Sequence, residues 1–363
     1  MRGSFIKPES INRVVVRGTN WVGDAVMTIP ALRELRRVLP SAHITLATRP
    51  WAEGIFRDAD FLDDILIYER PKRSPGAALK QVREWRKRSF DLALLFQNAL
   101  EAAVIARLAR VPFRVGYGTD GRRPLLTHPR PLPSWRSERH EVFYSLNIIS
   151  ELERLLYGAS SVEEREPQFR LNVSAERKRE AIAILKLRAT ESELGCIIAL
   201  CPGSTNSRAK RWPAEWYAAL ADRLADEMCA KILLIGAHEE LEVSRAVSRQ
   251  MRHRPVVLTG ETDLAQLTAV LSQVDLLITN DTGPAHISAA LERPTIVIFG
   301  PTDPRTTRPF SKSAEVIRNP PDCAPCMLRD CPIDHRCMTG ITPEEVFRRA
   351  ARMIKPEFAG FRA

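Results

Sequence analysis

The 363-residue chain has no apolar run approaching the ~18–20 residues of a membrane span. Its longest apolar stretches, around 197–201 and 295–300, have the length of strands. The opening MRGSFIKPES lacks the apolar core of a secretory signal. A cytoplasmic protein is the expectation. The loop after the first predicted strand has two glycines but neither the G-x-G-x-x-G spacing nor a Gly-Lys-Ser/Thr sequence. That argues against a dinucleotide-dependent epimerase or dehydrogenase and against a P-loop NTPase. There is no zinc-finger spacing and no basic repeat interleaved with aromatics. Nucleic acid therefore ranks below other anionic partners.

What is present is an ordinary globular composition, 44% hydrophobic and 27% charged, which excludes wholesale disorder. Two domains are expected from the length. The net charge of +10 is uneven. Residues 1–170 hold 28 Lys and Arg against 20 Asp and Glu; the remainder hold 26 against 24. The excess peaks between Arg107 and Arg139, around Arg114, Arg122, Arg123, Arg130 and Arg136. Such a field suits a phosphorylated sugar or an anionic lipid surface.

Strands are predicted near 14–16, 44–47, 65–68 and 90–97, with helices between them. A second alternating series has strands near 196–201, 231–236, 255–258, 276–279 and 295–299. Alternation of this kind predicts parallel sheets with helices on both faces. The α/β class and two doubly wound domains follow, spanning 1–170 and 171–342. A helix in 343–363 is expected to pack back on the first. Residues 117–139, rich in Gly, Pro and Arg, read as one long loop, and 158–167 as a linker. Ligands in doubly wound sheets sit at the carboxyl ends of strands, so a cleft between the domains is expected.

Four strand-end loops could carry chemistry. The first is GTNWVGD, residues 18–24, offering Gly23 for close approach and Asp24 as either a helix cap or a base. The second is CPGSTNSRAKRWP, residues 201–213, in which Ser204, Thr205 and the Lys210 charge suit a phosphate. The third is NDTGPAHISAAL, residues 280–291, with Asp281, Thr282, Gly283 and His286 around a helix start. The fourth is GAHEE, residues 236–240, where Glu239 or Glu240 could accept from ribose hydroxyls. Cys196, Cys201 and Cys229 read as buried small hydrophobes. Cys323, Cys326, Cys331 and Cys337, with His335 nearby, have spacing that permits a structural zinc, a reduced cluster or two labile disulfides.

WVGDAVMTIPAL, PGSTNSRAKRWP, NDTGPAHISAAL with FGPTDP, and CAPCMLRDCPIDHRC occur in that order from Val14 to about Phe347. Together they resemble glycosyltransferase family 9, the ADP-heptose:lipopolysaccharide heptosyltransferases, on the heptosyltransferase II branch. The resemblance implies a GT-B fold, two facing Rossmann-like domains. It implies inverting, metal-independent transfer of heptose from ADP-L-glycero-β-D-manno-heptose to the lipopolysaccharide inner core, with no cofactor. It implies work at the cytoplasmic face of the inner membrane, with peripheral contact.

By that resemblance Asp24 is the general base and Lys210 neutralises the departing diphosphate. Ser204, Thr205, Thr282, Gly283 and His286 meet the donor, Asp281 holds sugar hydroxyls, and Glu240 or Glu239 meets ribose. Gly23, Arg122, Arg123 and His140 face the acceptor. The loop Ser204-Thr205-Asn206-Ser207-Arg208 departs from the branch pattern, which leaves open a transferase for another nucleotide sugar. A non-catalytic nucleotide- or glycolipid-binding module, which would need no Asp24, is the alternative of another class.

Overall fold

β-Branched and leucine-rich runs such as Val14–Val16 and Ile197–Leu200 are buried at every residue, as strands covered on both faces must be. The computed structural model describes residues 6–69, 75–188 and 196–354. It divides into two units, Met1–Arg170 and Leu171–Ala363.

The first unit has six strands: β1 (Arg13–Arg17), β2 (His43–Thr48), β3 (Asp64–Ile67), β4 (Leu92–Leu95), β5 (Phe113–Tyr117) and β6 (His128–Arg130). All neighbours are parallel, in the order β3-β2-β1-β4-β5-β6. The second unit has β7 (Ile197–Cys201), β8 (Lys231–Leu234), β9 (Val256–Val257), β10 (Leu276–Asn280), β11 (Thr295–Phe299) and β12 (Ala314–Arg318). Their order, β12-β11-β10-β7-β8-β9, is again all parallel. Read within each unit, the two orders are the same doubly wound arrangement. The strand order reverses between β1 and β4 in one unit and between β7 and β10 in the other. Those two switch points are where ligands enter such sheets. Two such units in one chain are the GT-B architecture.

The first core gathers Val15, Ala93 and Leu95 with Trp85, Phe90 and Ile105 from the helices Pro75–Arg88 and Leu100–Leu108 and their flanks. The second gathers Ile198, Leu200, Ile278 and Ile298 with Trp212, Tyr217 and Leu220. Helix ends follow their local chemistry. Helix Glu141–Tyr157 stops at Gly158, whose φ of 83° closes the last turn in the left-handed region. Helix Leu264–Leu271 starts on a reciprocal Asp263–Gln266 capping box.

The helix Pro343–Met353 places Val346, Phe347 and Ala350 in the core of the second unit, with Leu220 and Leu224. Its apolar stripe matches the nearest helix, Ala214–Met228. The rest of that terminal segment, 355–363, lies outside the described residues. Some expectations are corrected. The stretch 117–139 is not one loop: β6 pairs with β5, and Arg123–Leu125 forms a 3-10 turn. Pro129 within β6 is tolerated on an edge strand. Segment 158–167 is no free linker. Ser160 and Ser161 donate to Glu153, and Arg165 pairs with Glu34 at 3.2 Å.

Candidate functional site

In the first unit the chain leaves β1, runs extended through Trp21, and turns into the short helix Val22–Met27. Trp21 occupies the N-cap, so Asp24 is not a cap. It stands exposed in the first helical turn, where the positive end of the helix favours a carboxylate. A cavity of about 220 Å³ opens there, lined by Thr19–Trp21, Asp24 and Met27 after β1 and by Phe96–Asn98 after β4, at the switch point. Its other wall is Arg136, Glu141, Tyr144 and Ser145.

That wall is a connected set. The Arg136 guanidinium pairs with Glu141 at 2.6 Å and lies 4.1 Å from the centre of the Tyr144 ring. Asn98 Nδ2 donates to the Tyr144 hydroxyl at 2.5 Å, and Tyr144 stacks on Tyr117 with centroids 4.3 Å apart. Burial pushes the Tyr144 hydroxyl above its ordinary range, against the pull of Asn98 and Arg136. It stays protonated at neutral pH and serves as a hydrogen-bonding group.

The expected acceptor residues are distributed otherwise. Arg122 is fully buried. It donates to the carbonyls of Tyr117 (2.7 Å) and Gln97 (2.5 Å) and to Asn98 Oδ1 (2.5 Å). Those bonds tie the segment after β4, which lines the cavity, to the end of β5. His140 is also buried, and its Nδ1 accepts from the Val142 N–H as the N-cap of helix Glu141–Tyr157. Gly23 and Arg123 are not in the cavity wall; Arg123 is exposed. Arg114 in β5 is buried as well, bound to the carbonyls of Val111 and Leu125. The basic stretch therefore spends several of its charges on backbone oxygens. The wall residues Asn98, Arg136, Glu141 and Tyr144 were missed as site residues. Only the topological rule pointed at the segment after β4.

In the second unit the predicted donor loops meet at the other switch point. Asn280, at the end of β10, donates to the carbonyls of Pro202 and Gly203. Its Oδ1 accepts from the Trp212 N–H and the Tyr217 hydroxyl. This clamp fixes the loop after β7 to the end of β10. Lys210 then reaches Asp281, Nζ to Oδ2 at 2.7 Å and to the backbone oxygen at 3.2 Å. Asp281 is buried, and Thr302 donates to the same Oδ2 at 2.7 Å. A buried carboxylate persists because both partners satisfy it. The Lys210 side chain remains a quarter exposed.

Thr282 is the N-cap of helix Gly283–Ala290, which presents its first-turn N–H groups beside this pair. Ser204 is buried in the loop after β7, and Thr205 is exposed above it. His286 is buried within the helix. Of the two glutamates after β8, Glu239 is exposed and Glu240 is turned in. Glu240 accepts from the Ala237 N–H at 2.8 Å and the Thr205 hydroxyl at 3.2 Å. Gly203 and Gly236 are glycines for this reason: a Cβ on either would meet the Glu240 carboxylate inside 3.0 Å. One side of this site thus holds a cation and helix N–H groups, which suit phosphate. The other holds a buried carboxylate, which suits hydroxyls.

The cysteines divide differently from expectation. Cys201 is buried, and burial, then Glu240, pushes its thiol up to about 12. Cys229 is not buried. It ends helix Ala214–Met228 at φ 50° and is exposed, because the left-handed turn points it outward. Cys323 and Cys331 are exposed, Cys326 is half-buried and Cys337 is buried. Among the described residues no three His, Cys, Asp or Glu side chains are gathered so as to hold a metal ion. The His335 Nε2 is instead 2.6 Å from the Ala209 carbonyl.

The model of glycosyltransferase family 9 (heptosyltransferase) matches residues 78–336. Lipopolysaccharide heptosyltransferase 2 of Escherichia coli is 26% identical, over 96% of this chain and all of its own length. Lipooligosaccharide heptosyltransferase 2 of Haemophilus influenzae is 26% identical over 84% of this chain and 88% of its own. The structure of the E. coli ADP-heptose lipopolysaccharide heptosyltransferase II superposes with a TM-score of 0.78 at 25% identity, covering 94% of this chain and 98% of that one. A family 9 glycosyltransferase from Veillonella parvula superposes with a TM-score of 0.79 at 22% identity, covering 97% and 98%. With its two doubly wound units and both switch-point sites, the chain belongs to glycosyltransferase family 9, the heptosyltransferases.

Proposed function

We propose that the protein transfers heptose from ADP-L-glycero-β-D-manno-heptose to the lipopolysaccharide inner core, with inversion, as the second heptose-adding enzyme. The observation that carries this is the pairing of Lys210 with buried Asp281 at the β7/β10 switch point, beside the start of helix Gly283–Ala290 and across from Glu240. That set offers a charge for a diphosphate and carboxylates for sugar and ribose hydroxyls.

In the proposed reaction the Asp24 carboxylate takes the proton of the acceptor hydroxyl as its oxygen bonds to the anomeric carbon. The bond from that carbon to the diphosphate oxygen breaks, and its electron pair leaves with ADP. Lys210, Ser204, Thr205 and the backbone N–H groups at Thr282 and Gly283 stabilise the charge that develops. Asp281 and Glu240 orient the heptose and ribose hydroxyls. Moving the Lys210 ammonium from Asp281 onto phosphate leaves the buried carboxylate with Thr302, so donor hydroxyls on Asp281 replace the partner it gives up.

The acceptor side rests on the cavity beside Asp24, where Arg136 supplies a cation for an anionic glycolipid. Trp21, more than half exposed beside that cavity, suits peripheral contact with the cytoplasmic face of the inner membrane. Among the described residues no helix is long and apolar enough to cross a membrane. The test is a transfer assay with ADP-heptose and acceptors carrying no heptose or one. Transfer to the one-heptose acceptor is expected. Transfer only to the heptose-free acceptor, or only from another nucleotide sugar, refutes the assignment.

A further inference from the structure

Residues 319–335, between β12 and the helix Arg336–Thr339, contain no helix or strand. They expose Met327, Leu328 and Ile333, so burial of apolar surface does not explain how this segment is held. Backbone hydrogen bonds to two donor-site loops do. The Met327 N–H donates to the Pro301 carbonyl at 2.9 Å, next to Thr302. The Ser207 hydroxyl donates to the Arg329 carbonyl at 3.2 Å. Arg208 pairs with Asp330 at 2.6 Å, but in solvent, where such a pair adds little.

The remaining contacts converge on one residue. The Ala209 N–H donates to the Arg329 carbonyl at 2.9 Å. The Ala209 carbonyl lies 2.6 Å from His335 Nε2, and since a carbonyl only accepts, that nitrogen carries the proton. Both backbone groups of Ala209 are thus held by a segment more than a hundred residues away in sequence. Ala209 directly precedes Lys210. His335 is itself well anchored. It is the N-cap of helix Arg336–Thr339, whose Cys337 and Met338 are buried in the second core. Gly300 leaves the room they fill, since a Cβ there would meet Met338 Sδ at 2.3 Å and Cys337 Sγ at 3.1 Å.

We infer that His335 is a positioning residue for donor binding: its Nε2–H fixes the Ala209 carbonyl and thereby sets where the Lys210 ammonium stands beside Asp281. This rests on the reading that Lys210 meets the donor diphosphate. An ammonium displaced by ~1 Å loses both ground-state contact and leaving-group stabilisation. The acceptor cavity is lined by residues of the first unit.

The experiment is a double-mutant cycle on the full chain. ADP affinity is measured by calorimetry, and kcat and both KM values by transfer assay. His335→Ala should weaken ADP about tenfold and raise the donor KM, leaving the acceptor KM unchanged. His335→Gln, whose amide N–H can donate to the same carbonyl, should recover most of that loss. In a Lys210→Ala background His335→Ala should have no further effect on ADP. If His335→Ala does not fold, His335→Asn, polar but too short for Ala209, carries the same expectations. Equal weakening by the His335 variant in both backgrounds, unchanged ADP affinity, or an equal rise in the acceptor KM overturns the role of His335 alone. Unchanged ADP affinity in Lys210→Ala itself overturns the donor-site reading, and the role of His335 with it.

Discussion

Gly203→Ala should weaken ADP binding through a carboxylate it does not itself replace. A Cβ on Gly203 would lie 2.4 Å from Glu240 Cδ, 2.6 Å from Oε1 and 2.7 Å from Cβ. Carbon atoms in contact stand ~3.5–4.0 Å apart, so the carboxyl carbon must retreat by ~1 Å. It has little space for that, because Oε2 already faces Gly236 closely. The hydrogen bonds from the Ala237 N–H and the Thr205 hydroxyl must lengthen or break. Leaving a buried charged acceptor short of donors costs ~1–3 kcal/mol. If Glu240 holds ribose, that misplacement corresponds to a ~10–100-fold loss of ADP affinity. Calorimetric titration with ADP measures it. Glu240→Gly removes every atom in the way, its Cβ included, so Gly203→Ala added to Glu240→Gly should cause no further loss. Wild-type affinity in Gly203→Ala would refute the reasoning, as would an equal loss in both backgrounds.

Thiol labelling at pH 8 should modify Cys229, Cys323 and Cys331 quickly and Cys201 only after unfolding. Burial, then Glu240, holds the Cys201 thiol near 12, and burial with the neighbouring thiols raises Cys337; native-state labelling of Cys201, mapped by mass spectrometry, contradicts this. Glu153 should support the first unit except in acid. Burial pulls its carboxyl upward, but the Ser160 hydroxyl, the Ser161 N–H and Arg37 outweigh it and hold the folded value below the ordinary 4.5. The stabilisation is therefore fully present above about pH 4.5 and lost as pH falls through the folded value. Glu153→Gln should lower Tm at pH 7 and match wild type well below pH 4, and a difference in Tm that persists undiminished into strong acid would be inconsistent with it.

Much of the fold was legible because parallel strands buried on both faces announce themselves as short apolar runs separated by helical periods. Strands β5, β6 and β12 carry Arg114, Pro129 and Glu315 within them, and a polar or proline residue inside a strand, at the sheet edge in β6 and β12, hides that signal. The loops around Asp24, Ser204–Lys210 and Asp281–Gly283 were legible because each follows a clear strand and opens a helix. The inward bonds of Arg122 and His140 to backbone groups were not legible, because sequence shows a charge or a ring but not its direction. Arg136, Tyr144 and Asn98 could not be grouped from spacing, since only the β1/β4 switch point brings them to Asp24. His335 stands 126 residues from Ala209, and no motif links the two.

The central claim is that Asp24 removes the acceptor proton, and the most direct measurement is turnover of Asp24→Asn with ADP-heptose and a one-heptose acceptor, alongside its ADP affinity. The variant keeps the size of the side chain but removes its charge. Transfer should fall by ~10²–10⁴-fold, with ADP bound as tightly as by the wild type. Transfer at the wild-type rate would contradict the claim.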